Sequence, residues 1–168
     1  SYEKGSLSLI NAMKKCWDNG VDATLVFGGG YNKVFSDFIN QLEPLYRDRI
    51  LNIDNITDEE KFDLYDAGDV FSMVSKTDSF GIVYLEAWTY GKPVLACDNK
   101  AIREVVSDGK DGYLIAFDNT EMMSEKIINL LNNSKLRNEM GEYGRNKVRD
   151  KYNWDKNLEK FGETIKSL

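Results

Sequence analysis

The apolar residues of this chain change period repeatedly, and each change marks an element. Leu7, Leu9, Ile10, Ala12, Met13, Cys16 and Trp17 recur at helical spacing over residues 5–19, and Gly20 stops the run. Thr24 to Phe27 is a short apolar run that suits a buried strand, closed by Gly28, Gly29 and Gly30. A helix is predicted from about Asn32 to Leu45 and a strand from Ile50 to Ile53. Thr57 and Glu60 form a capping box for a helix reaching Ala67. Val70 to Val74 reads as a strand and Phe80 to Tyr90 as a helix, with Asp78 and Ser79 as N-cap residues and Gly91 with Pro93 as the stop. Val94 to Ala96 is a strand, and Ala101 to Val106 a short helix. The turn at 109–112 leads into a strand from Tyr113 to Ala116. Asn119 or Thr120 caps a helix to about Asn132, and helices over Leu136 to Tyr152 and Trp154 to Ile165 complete the chain.

Strands alternating with helices at this spacing predict a parallel sheet with helices on both faces. The expected fold is a Rossmann-like three-layer α/β/α sandwich, with ligands at the carboxyl ends of the strands. Such a domain normally opens on a strand, whereas this sequence opens on loop residues before its first helix. The expectation is a domain, residues 1–168, cut from a longer two-domain enzyme.

The strand–loop–helix over residues 69–93 holds the candidate chemistry. Phe80, Ile82, Val83, Tyr84, Leu85, Ala87 and Trp88 leave no polar face, so that helix should be buried nearly all round. Yet Glu86 sits in its middle, and a buried carboxylate costs several kcal/mol unless donors meet it. Glu86 follows Asp78 by eight residues, about 12 Å along a helix axis. The N–H groups of the first turn lie between them and suit an anion. An elongated ligand with a central phosphate and a hydroxyl-rich group at each end matches all three features. The plainer alternative is that Glu86 pairs with a core Lys or Arg while Asp78 only caps.

Composition narrows the classes. With 168 residues, 42% of them hydrophobic, the chain can build one full core. No window has the length of a membrane span, and the start is not a signal peptide. A net charge of −6 and a pI near 4.8 argue against a nucleic-acid surface. Cys16 and Cys97 give no disulfide framework, which favours a reduced, cytosolic setting. The sequence has no His, which removes the commonest general base and argues against a zinc site. The glycine triplet does not fit a dinucleotide fingerprint, because Lys33 occupies the third glycine position. Trp17, Phe71 and Trp88 read as core, and the charge run from Asp58 to Asp66 as a solvated helix face.

Several stretches together resemble the C-terminal domain of the retaining glycosyltransferases of family 4, which have the GT-B fold. They are Lys4-Gly5 before the first helix, residues 25–30, 67–71, and the most specific run, Ser79 to Ala87 continuing through Gly91 to Val94. Residues 102–106 and 108–115, and Trp154 before a terminal helix, continue the likeness. The resemblance implies transfer of a sugar from a nucleotide-diphosphate-sugar donor to an acceptor, with anomeric configuration retained and no obligatory metal or other cofactor. It gives Asp78, usually Glu in the family, to the transferred sugar, and Glu86 to the ribose hydroxyls. It gives Ser79, Phe80, Gly81, Ile82 and Val83 to sugar and diphosphate, Lys4 to phosphate, and Asp54, Asn55 and Ile56 to the base. Cationic groups and amides would stabilise the leaving diphosphate. A sugar, glycan or lipid-linked acceptor would sit mainly on an N-terminal domain. The resemblance also implies a cytoplasmic role in making cell-surface polysaccharide or glycoconjugate, with any contact to the inner face of the membrane made through that other half. The rival readings are a nucleotide-sugar epimerase or phosphorylase of the same architecture, and a non-catalytic nucleotide-binding or partner-binding module.

Overall fold

The structure is a computed structural model and describes residues 5–30, 32–77 and 81–152. Its first helix, α1, spans Ser6–Asp18 and buries Leu9, Ile10, Ala12, Met13, Cys16 and Trp17, the apolar stripe of the sequence. The strand β1, Leu25–Gly28, follows, then α2, Lys33–Asn40, whose N-cap Asn32 accepts from the Phe35 amide. The helix expected to run on to Leu45 stops here. A second short helix, α3, Pro44–Arg47, restarts with Pro44 in its first turn. Proline has no N–H to donate and clashes with the preceding turn, so the apolar spacing continues past Pro44 while the helix does not.

The strand β2, Ile50–Ile53, leads to the helix α4, Asp58–Ala67, with the reciprocal Thr57–Glu60 capping box in place. Then come β3, Phe71–Met73; α5, Ile82–Thr89; and β4, Val94–Cys97. The segment expected as a helix over Ala101 to Val106 is only a 3₁₀ turn at Ile102–Glu104. The strand β5, Gly112–Ile115, and the helices α6, Thr120–Asn132, and α7, Ser134–Lys151, complete the described chain. The expected helix from Trp154 to Ile165 lies outside the described residues.

Every described strand pair is parallel. The ladders form two groups, β1 with β2, and β3–β4–β5. The layering is read from β4, which is buried at all four positions and whose residues alternate between two cores. Leu95 and Cys97 join α1 and α6 through Ile10, Met13, Met123 and Leu130. Val94 and Ala96 join α5 and the turn after β4 through Tyr84, Trp88 and Ile102. A period of two puts successive side chains on opposite faces, so helices cover both sides of this strand. Fully burying Leu95 alone is worth about 1.5–3 kcal/mol.

The helix α7 crosses closely over α5. A Cβ on Gly144 would lie 2.2 Å from Trp88 Cδ1, so only glycine lets the helices approach this far. Both cysteines are buried, and burial pushes the Cys16 thiol up to about 11. Among the described residues no helix is long and apolar enough to cross a membrane.

Candidate functional site

The loops at the carboxyl ends of the strands pack on one another in pairs. After β1, a Cβ on Gly28 would lie 2.8 Å from Ile56 Cδ1, and one on Gly30 would lie 3.8 Å from Asp54 Oδ1. The Gly28–Gly30 turn therefore rests against residues 54–56, which follow β2. There Asp54 Oδ1 accepts from the Asn55 amide at 2.9 Å, and Asn55 takes a left-handed φ of 52°. Asp54 and Asn55 are exposed, and Ile56 is half-buried. After β3, the carbonyl of Val74 lies against Gly5, at the entry to α1.

Gly81 opens α5 and is fixed twice over. Its φ of 69° is left-handed, and a Cβ would lie 2.4 Å from the Tyr84 ring and 3.3 Å from Ile102 Cδ1. As a glycine it caps the helix with no side-chain oxygen of its own. Ile102 belongs to the turn after β4. The helix start and that turn are therefore neighbours at the same end of the sheet. Tyr84 anchors the helix by donating its hydroxyl to the Met73 carbonyl at 2.7 Å.

The expectation that α5 is buried nearly all round is corrected by the structure. Tyr84, Ala87 and Trp88 are buried, but Ile82 is 60% exposed, and Val83 and Leu85 are half-buried. An apolar residue buries only where a neighbour covers it, and nothing in the described chain covers the outer side of the first turn. Glu86 is likewise not sealed in a core. Its side chain is 24% exposed, and two groups of α4 reach it. Lys61 Nζ donates to Oε1 at 3.0 Å, and the Tyr65 hydroxyl donates to Oε2 at 3.0 Å. The hydrogen bond to Glu86 raises the Lys61 pKa. Burial, reinforced by the Glu86 charge, pushes the Tyr65 hydroxyl up. The pairing with a lysine, expected only under the plainer alternative, is therefore present, although the carboxylate keeps an exposed side.

Sequence reasoning missed Lys61 and Tyr65. They stand four residues apart on one face of α4, a spacing visible in the sequence but masked by the surrounding charges. Of the expected site residues, the structure gathers Asp54, Asn55 and Ile56 at one loop, and Gly81, Ile82, Val83 and Glu86 on α5. Lys4, Asp78, Ser79 and Phe80 lie outside the described residues. Among the described residues no group of three or more His, Cys, Asp or Glu is placed to hold a metal ion. A shallow pocket lined by Leu64, Tyr65, Gly68, Val70, Phe71 and Lys92 lies by the start of β3, away from the carboxyl ends.

The model of the family described as "Glycosyl transferases group 1" matches residues 1–147. The chain belongs to this family. A group 1 assignment agrees with the relatives. Spore coat protein SA of Bacillus subtilis is 27% identical over 93% of this chain and 44% of its own length. This group 1 chain spans less than half the length of the curated relatives it matches. By contrast it matches 82% of the solved C-terminal domain of a group 1 glycosyl transferase, LpcC, from Francisella tularensis. That match has a TM-score of 0.79, 27% identity and 92% of this chain covered. Anabaena HepE, solved in complex with UDP and glucose, has the same fold at TM-score 0.78 and 21% identity, over all of this chain and 46% of HepE. The fold is that of the C-terminal domain of a GT-B glycosyltransferase.

Proposed function

We propose that this chain is the donor-binding domain of a retaining glycosyltransferase that takes its sugar from a nucleotide-diphosphate-sugar. The observation that carries the reading is the arrangement on α5. A helix start led by Gly81 stands at the carboxyl ends of the strands, and a partly exposed carboxylate follows it on the same helix. The amides of Gly81, Ile82 and Val83, with Ser79 and Phe80, would hold the diphosphate. Glu86 would take the ribose hydroxyls, and residues 54–56 would lie along the base. Asp78 would face the transferred sugar, and Lys4 would meet a phosphate. The UDP found in the HepE complex supports this ligand class.

In this reading the chain's own groups offset charge on the departing diphosphate, and no metal or other cofactor is required. The acceptor, a sugar, glycan or lipid-linked group, would be held by a separate N-terminal half. The setting would be the cytoplasm, in the making of cell-surface polysaccharide or glycoconjugate. Positioning donor and acceptor together can supply about 7–11 kcal/mol of barrier reduction, which half a cleft forgoes. This chain alone should therefore bind a nucleoside diphosphate at micromolar to millimolar concentration, about −4 to −8 kcal/mol, and should not turn over. The test is calorimetry with UDP, GDP and ADP, followed by release of nucleoside diphosphate with candidate acceptors, on this chain and on a longer one. Absence of any nucleotide binding would sink the donor-site reading. Robust acceptor-dependent transfer by residues 1–168 alone would sink the half-site reading.

A further inference from the structure

We propose that Lys61 and Tyr65 are positioning residues that hold the Glu86 carboxylate as a two-point acceptor for a vicinal diol. The inference rests on the donor-site reading above and names residues of this chain that carry its selectivity.

The argument is one of capacity. An ionised carboxylate has about four acceptor positions on two oxygens. Lys61 fills one on Oε1 and Tyr65 one on Oε2. Each oxygen keeps a further position, and the side chain is 24% exposed. By this count one position remains on each oxygen, which suits two adjacent hydroxyl donors better than one.

The holders are themselves held. Lys61 is 29% exposed, also faces Asp58 at 3.4 Å, and stands over the Phe62 ring. Tyr65 is buried, stacks on Tyr90 and meets the Phe71 ring edge-on. Two donors on separate oxygens fix the rotation of the carboxylate about its last bond, which a single donor leaves free. A fixed plane loses little freedom when a diol arrives, so part of the ordering cost of binding is met before the ligand comes. Lys61 and Tyr65 come from α4, whose capped start follows residues 54–56. The base loop and the diol acceptor are thus tied to the same helix.

The test compares ribo- and 2′-deoxy forms of UDP, GDP and ADP by calorimetry on the whole chain. Wild type should favour the ribo form by about tenfold, the worth of one hydrogen bond to a charged group. Tyr65→Phe keeps the ring in its stack, and Lys61→Met keeps the stem. Each should erase most of that preference while leaving the deoxy affinity and the melting temperature near wild type. Lys61→Arg should restore it. In a Glu86→Gln background neither substitution should change the preference further, because both act through that carboxylate. The proposal is overturned if the preference survives in both variants, or if they weaken ribo and deoxy forms equally. It is also overturned if they still act when Glu86 is Gln. If Glu86→Gln abolishes the preference and the two positioning variants do not, the donor-site reading stands and only this inference fails. If wild type shows no preference, or binds no nucleotide, both fail.

Discussion

Two carboxylate–lysine pairs lie on either side of α5, and they differ in what they leave open. On the far side from α4, Asp111 is 0% exposed and Lys147 of α7 is 14% exposed. Lys147 donates to the Asp111 carboxylate, to the Val105 carbonyl at 2.8 Å and to the Ser107 hydroxyl at 2.9 Å, so all three ammonium protons are used. Asp111 also accepts from the Ser107 amide, and the Trp88 ring lies 4.8 Å from the ammonium. Glu86 has two donors as well, but it keeps an open side. The carboxylate that is sealed pins α7 to the turn after β4. The one that is held but uncovered can accept something more. Exposure of the remaining acceptor positions separates a structural pair from a candidate site, and the count of protein partners does not.

The largest expected effect comes from breaking the sealed pair. Lys147→Met leaves the Asp111 carboxylate buried without its cation and should cost about 3–5 kcal/mol of stability. Nucleotide affinity of the folded fraction should not change. Burial already raises the Asp111 pKa even with Lys147 opposing it, and losing the lysine raises it further. A carboxyl whose folded pKa is raised contributes stability below its unfolded value, about 3.9, and loses it as pH rises through the folded value. The deficit of the variant should therefore be greatest near neutrality and shrink toward acid. Urea unfolding at several pH values reads this directly, and a deficit that grows in acid would contradict it.

Breaking the open pair should give the reverse pattern. Glu86→Gln keeps the volume and one acceptor but loses the charge, worth about 1.5–3 kcal/mol per hydrogen bond to a ligand. Nucleoside diphosphate affinity should fall at least about tenfold while the unfolding midpoint moves little. Unchanged affinity by calorimetry would reduce Glu86 to a structural partner of Lys61.

The same contrast explains what could be read from the sequence. The strands, the Thr57 capping box and the stop at Gly91 are local signals, and they are found within a residue or two of where expected. Glu86 stood out because a lone charge among apolar helix residues is anomalous wherever it occurs. Its partners did not, because Lys61 lies 25 residues upstream in a run of charges, and pairing between elements leaves no periodic trace. The exposure of Ile82 was hidden for a related reason. Hydropathy says what a side chain prefers, while the neighbouring elements decide whether it is covered. Pro44 was legible and overlooked, since the apolar spacing runs past it.

A third pair sets the exposed end of the scale and gives the smallest effect. Arg103 grips Asp98 with both prongs, Nε to Oδ1 at 2.5 Å and Nη2 to Oδ2 at 2.9 Å, with the Arg103 side chain 63% exposed. The hydrogen bond from Arg103 holds the Asp98 carboxyl below the usual carboxylate range. A depressed folded pKa contributes stability above the unfolded value, about 3.9, and loses it as pH falls through the folded value. This is the opposite sign from Asp111. Solvent and salt screen so open a pair, so its worth is slight. Asp98→Asn should lower the melting temperature marginally at pH 7 and converge with wild type in acid. Raising salt at pH 7 should shrink the difference, whereas the Lys147→Met deficit should hardly respond. A difference that is constant from pH 7 to strong acid would mean that Asp98 acts through the backbone of its turn rather than through its charge.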